Sequence, residues 1–197
     1  GVVFVTGPAG LMAMLTPGVI SKQGWVLIIF AYYFLATLLP IDKIIGRIYP
    51  IFGAILLIMA AGIGGALFMQ GYKVPEITFQ NLHPGGAPLW PLLFITIACG
   101  AISGFHSTQS PIISRCLKNE KEGKFVFYGM MIAESLIALI WAAAAMSFYG
   151  GMQGLGEALS NPAGPSGVVK EVSFAMMGTI GGVLAILGVV VLPITSG

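Results

Sequence analysis

Apolar residues run almost without interruption through most of the chain, and the few polar positions fall into short groups between them. Four stretches, 24–41, 48–70, 89–114 and 125–149, approach or exceed the roughly 20 helical residues needed to cross ~30 Å of hydrocarbon. A fifth, 172–193, is apolar and rich in glycine and valine. Residues 1–20 are apolar but interrupted by "TGPAG" and "TPG", which reads as a partial span or a re-entrant piece. Backbone groups in lipid must pair within their own segment, so these spans are expected to be helices. The expected fold is therefore an all-α integral membrane protein, a multi-span helical bundle forming one membrane domain over 1–197.

The polar groups mark the connections. "DKIIGR" (42–47) is short, and "GYKVPEITFQNLHPGGAP" (71–88) is rich in proline and glycine. "RCLKNEKEGK" (115–124) is the one charge-dense stretch, and "GGMQGLGEALSNPAGPSGVVKE" (150–171) is a long loop with room for a surface helix. If consecutive spans alternate direction, loops 42–47 and 115–124 share a side and hold six of the nine basic residues. The positive-inside rule then predicts that both are cytoplasmic. Small residues recur where helices would meet: Gly62, Gly65 and Ala66 in one span, Gly181, Gly182, Ala185 and Gly188 in another. Such faces let backbones approach closely in a bilayer.

Composition agrees with the pattern. The chain is 57% hydrophobic and 8% charged, with a mean hydropathy of +0.95, whereas soluble domains carry about 25% charged residues. A net charge of +2 gives no footprint for nucleic acid. Cys99 and Cys116 lack the spacing of a metal or redox motif and read as free thiols. No metal or cofactor is expected. The chain begins and ends inside apolar stretches without an initiator methionine, which reads as a piece of a larger membrane protein.

One polar group interrupts a span instead of ending it. In "SGFHSTQSP" (103–111), Ser103, His106, Ser107 and Ser110 fall at i, i+3, i+4 and i+7, a single stripe along one helix face that Ser114 continues. Gln109 adds an amide. Pro111 cannot donate to the carbonyl of Ser107, and Gly104 loosens the same turn, so the helix is weakened beside its polar stripe. Broken membrane helices of this kind offer backbone and side-chain groups to a solute. The following span carries a single carboxylate, Glu134, and intramembrane ionisable residues usually face a bundle interior or cavity. Counted from loop 115–124, His106 and Glu134 each lie nine residues in, about 14 Å deep. Both side chains exchange protons, the imidazole near neutral pH. The pair is a candidate proton-coupling or substrate-carboxylate site, with Ser103, Ser107, Gln109 and Ser110 as candidate contacts. Local hydrogen bonding that merely locks helix packing is the competing reading. A serine hydrolase is disfavoured, since His106 and Ser107 point about 100° apart on a helix and no G-x-S-x-G elbow is present. "LPITSG" at 192–197 reads as a second broken helix bordering the same cavity.

Several long motifs in order, "LPIDKIIGRIYPIFG", "SGFHSTQSPIISRCLKNEKEGKFVFYGMMIAESLIALIWAA", "VVKEVS" and "LPITSG", resemble the carbon starvation protein A family of bacterial membrane transporters. The resemblance extends from about Trp25 to the end. It implies a secondary transporter, not an enzyme, that imports pyruvate or small peptides across the bacterial inner membrane, with H+ as a possible coupling ion. It also implies a fold of the amino acid–polyamine–organocation type, with inverted repeats and unwound helices at the substrate site. Members of the family are much longer, so the chain reads as a central portion. A non-transporting membrane sensor or assembly subunit is the alternative, with the basic loop as a docking element.

Overall fold

The computed structural model describes residues 2–38, 42–76, 78–83, 86–101 and 104–196; the side chains of 42–49, 99–101, 104–108, 192, 195 and 196 lie outside the description. Every regular element among the described residues is helical: α1 (Val2–Leu15), α2 (Lys22–Leu38), α3 (Asp42–Met69), α4 (Leu89–Ala101), α5 (Gly104–Cys116), α6 (Met130–Phe148), α7 (Met152–Ser160) and α8 (Gly164–Ser196). A 3₁₀ turn (Glu120–Glu122) and a π-helical turn (Lys124–Gly129) lead into α6. By length and composition, Pro50–Met69, Glu120–Phe148 and Gly164–Val191 can cross a membrane, with Val2–Leu15, Lys22–Leu38 and Leu89–Ala98 as shorter apolar helices. The protein is an all-α, multi-span membrane protein.

The chain divides into two units, one formed by 1–75 with 141–197 and the other by 76–140. In the first unit α8 is the central element, packed against α1, α3 and α7. It is not one rod. Gly178 has φ 68° and ψ −169°, a backbone region open essentially to glycine alone. A Cβ built on Gly182 would sit 3.0 Å from the Cα of Phe174, although eight residues of straight helix span about 12 Å. The helix therefore reverses at Gly178 into two arms, 164–177 and 179–196, so the apolar run Gly164–Val191, long enough to cross a membrane, does not do so as one rod. Val169 and Phe174 of the first arm pack on the core formed by Ile186 and Val190 of the second together with Leu11 of α1.

Glycines set the approach of the neighbouring helices. Gly188 in the second arm lies against Ile55 and Met59 of α3, each 3.5 Å from where its Cβ would be, and Gly62 of α3 receives the side chain of Met177. The reversal leaves the carbonyl of Met176 without its helical donor, and Gln70 Nε2 at the end of α3 donates to it at 3.2 Å. Such pairing matters because an unpaired backbone group buried in an apolar surrounding costs about 1–3 kcal/mol. The carbonyl of Phe4 is orphaned for a different reason: Pro8, inside α1, has no N–H to offer it. Tyr33 of α2 answers this. Its hydroxyl lies 3.2 Å from the carbonyl of Phe4 and 2.9 Å from that of Pro193 in the last turn of α8. One phenolic proton thus serves two acceptors on two helices. The interrupted stretch "TGPAG" stays helical within α1.

Helices α3 and α6 stop in the same way. Gly71 and Gly150 take positive φ, Tyr72 N–H donates to the carbonyl of Leu67 at 3.2 Å, and Gly151 N–H donates to that of Met146 at 2.8 Å. These are Schellman closures, which satisfy the last free carbonyls of a helix.

A candidate functional site between two helices

The second unit holds the residues that the sequence singles out. It contains α4, α5, the loop 117–123, the π-helical turn and the first part of α6. Trp90 in α4 is extended, with φ −104° and ψ 123°, as a residue before proline prefers, so regular helix begins at Pro91. The loop is short and tied down: Asn119 Oδ1 accepts from the backbone N–H of Lys121 at 3.0 Å, and the Glu122 N–H donates to the Asn119 carbonyl at 3.0 Å. It turns the chain from α5 back into α6.

Helices α5 and α6 do not close on each other. A cavity of about 690 Å³ opens between them. From α5, Gln109, Ser110, Pro111, Ile113 and Ser114 form one wall; Gln109, Ser110, Ile113 and Ser114 have the i, i+1, i+4, i+5 spacing of a single helix face, with Pro111 beside it. The opposite wall comes from Val126 and Phe127 of the π-helical turn and from Met130, Met131 and Glu134 of α6. Met130 and Met131 sit one turn before Glu134 and share its face. A π-helical turn carries i→i+5 hydrogen bonds and recurs at functional sites in helices. Here it rotates the start of α6 and brings Val126 and Phe127 to the cavity.

Four of the sequence-derived candidates are therefore on this cavity: Gln109, Ser110, Pro111 and Glu134. Ser110 and Glu134 both have interaction partners in the structure. Ser114 Oγ donates to the carbonyl of Pro111 at 2.9 Å, which ties that hydroxyl into its own helix. Ser135, next to Glu134, does likewise with the carbonyl of Met131 at 2.8 Å. The residues Gly104, His106 and Ser107 belong to α5, with His106 one turn ahead of Gln109 and Ser110. The side chains of His106 and Ser107 lie outside the description, and Ser103 lies outside the described residues altogether. Of the flanking aromatics, Phe148 stacks edge-on with Tyr149 at 4.9 Å and lies 6.3 Å from Tyr72, all in the first unit. Among the described residues no group of three or more His, Cys, Asp or Glu side chains is arranged to hold a metal ion.

A wall of Ile, Val, Phe and Met interrupted by one carboxylate, one amide and two hydroxyls has the make-up of a small-molecule site: mostly apolar, with a few polar groups to orient a ligand. The amide and hydroxyls donate and accept, while the carboxylate binds or releases one proton and so changes the cavity's charge by one.

Comparison with known proteins gives the chain its relatives. The model of the family described as carbon starvation protein CstA matches residues 9–191. A protein of Haemophilus influenzae described as an "uncharacterized membrane protein" is 42% identical over 81% of this chain and 57% of its own length. The pyruvate/proton symporter BtsT of Escherichia coli is 37% identical over 59% of this chain and 17% of its own length. The peptide transporter CstA of the same organism is 35% identical over 59% of this chain and 17% of its own length. The chain thus spans a little over half of the first relative and about a sixth of the other two. No solved structure matches it. With a family match from Ala9 to Val191, the chain belongs to the carbon starvation protein CstA family.

Proposed function

We propose that the chain is part of a secondary transporter that imports small carbon sources, pyruvate or short peptides, across the bacterial inner membrane. Its solute or coupling site is built on α5 and α6 around His106 and Glu134. The observation that carries this reading is the 690 Å³ cavity that Glu134 lines from α6 and Gln109 and Ser110 line from α5, among mostly apolar side chains. A carboxylate set in an apolar helix is costly and is usually kept where a bundle interior or a water-filled path uses it. His106 precedes Gln109 and Ser110 by one turn of α5, a spacing that supports its membership of the same stripe. The names of the Escherichia coli relatives, a pyruvate/proton symporter and a peptide transporter, supply the two solute classes and the coupling ion.

In this reading Glu134 or His106 takes up a proton on the side of higher proton concentration and releases it on the other. The one-unit change in cavity charge alters how tightly a charged solute is held. Gln109 and Ser110 orient the solute through hydrogen bonds, and the carbonyl of Ser107, freed by Pro111, is a further acceptor. No cofactor takes part. Loops 42–47 and 115–124 lie on the cytoplasmic side.

The test is uptake by the full-length protein in proteoliposomes, with labelled pyruvate compared with di- and tripeptides, with and without an inward proton gradient. Accumulation of one class that the gradient accelerates supports the reading, and no movement of either contradicts it. His106→Ala is expected to reduce the gradient-driven component while leaving the amount of folded protein unchanged.

A further inference from the structure

The charge-dense segment 115–124 is not used by the transport reading. Four cations, Arg115, Lys118, Lys121 and Lys124, lie within ten residues and are all exposed. Two carboxylates, Glu120 and Glu122, stand among them in the 3₁₀ turn. Among the described residues, none of these six charges is engaged in an ion pair. The positive charge is therefore not neutralised within the loop. Nor is the loop a loose tail. Asn119 caps the 3₁₀ turn, and Leu117 packs toward Gly123, 3.8 Å from where a Cβ would be. Only residues 117–123 separate α5 from the π-helical turn, so the cations are held within about one turn of the end of α5 and of the start of the apolar helical run that continues into α6.

Just inside the cations, Phe125 and Tyr128 are 67% and 63% exposed. Aromatic rings beside lysines at the end of an apolar helix are the pairing found at the boundary between hydrocarbon and headgroups. A soluble acidic protein would meet the cations but would leave these rings without a counterpart. A phospholipid satisfies both, its phosphate toward the lysines and its glycerol and upper acyl chain against the rings.

We propose that the 115–124 loop, with Phe125 and Tyr128, is a binding site for the headgroups of anionic phospholipids. Clusters of basic residues next to a membrane helix attract anionic lipid with roughly 1 kcal/mol, about fivefold in occupancy, per cation near the surface. The two glutamates oppose this and set the net preference.

Cys116 is exposed and adjoins the loop, which makes it a reporter position. In the full-length protein with Cys99→Ser, a fluorophore on Cys116 would be quenched by lipids that carry a spin label on the headgroup. Spin-labelled phosphatidylglycerol is compared with spin-labelled phosphatidylcholine in otherwise identical vesicles. The expected result is quenching several-fold stronger with phosphatidylglycerol, falling toward parity in high salt. Lys118→Gln with Lys121→Gln and Lys124→Gln should bring the ratio to about one. The double variant Glu120→Gln with Glu122→Gln keeps all the basic residues that set orientation, and it should raise the ratio. Equal quenching by the two lipids in the unmodified loop would overturn the proposal. So would a ratio indifferent to salt and to the Glu120→Gln/Glu122→Gln pair, or a label shielded from both lipids by an acidic protein.

Discussion

In the unit formed by 1–75 and 141–197, helices meet through glycines: Gly62 takes Met177, Gly182 lies against Phe174, and Gly188 lies against Ile55 and Met59. In the unit 76–140, α5 and α6 face each other across a cavity walled by Ile113, Val126, Phe127 and two methionines, with no glycine on either wall. The contrast is physical. Lipid tails are as apolar as leucine, so helices gain little by hiding apolar surface from the bilayer and associate closely only where small residues let backbones approach. Where bulky side chains face each other, the gap persists, with Gln109, Ser110, Ser114 and Glu134 on its walls. The first unit satisfies its stray backbone carbonyls internally, through Tyr33 and Gln70. The second keeps its polar side chains on an open wall.

The difference can be tested from its stiffest point downward. Gly178→Val forces a β-branched residue into a backbone region essentially reserved for glycine. It should cost the full-length protein about 2–3 kcal/mol, read as a clear fall in Tm and in the fraction that remains monodisperse in detergent. An unchanged Tm would mean that α8 does not need to reverse there. Tyr33→Phe removes one hydroxyl shared by the carbonyls of Phe4 and Pro193 and should cost about 1–2 kcal/mol, a smaller shift in the same assay. In the second unit Ser114→Ala removes a hydroxyl that bonds only within its own helix, and the change should stay below about 0.5 kcal/mol. If Ser114→Ala cost as much as Tyr33→Phe, the distinction between a packed and an open unit would fail.

The legibility of the sequence follows the same division. Gln109, Ser110, Pro111 and Glu134 stand out because each is polar, or a helix breaker, in an apolar run, and the structure places all four on one cavity. Val126, Phe127, Met130 and Met131 complete the walls but are apolar residues in an apolar span, so no contrast marks them. Spacing from Glu134 would have found the two methionines, one turn earlier on the same face. The reversal at Gly178 was hidden for a related reason. The chain is apolar on both sides of the turn, in 172–177 and in 179–191, and a glycine among Gly181, Gly182 and Gly188 reads as another packing contact. What signals the turn is a backbone conformation, which composition does not carry. Tyr33 was equally silent: the proline that orphans the Phe4 carbonyl is visible, but the hydroxyl that answers it comes from 29 residues away.

The central claim is that the cavity between α5 and α6 is used in transport, and Glu134 tests it against a neighbour on the same helix. Glu134→Gln keeps size and hydrogen bonding but removes the exchangeable proton, whereas Ser135→Ala removes a hydroxyl already bonded to the carbonyl of Met131. Gradient-driven uptake by the full-length protein, normalised to folded protein, should fall at least tenfold in Glu134→Gln and stay near wild type in Ser135→Ala. Wild-type uptake by Glu134→Gln would contradict the account.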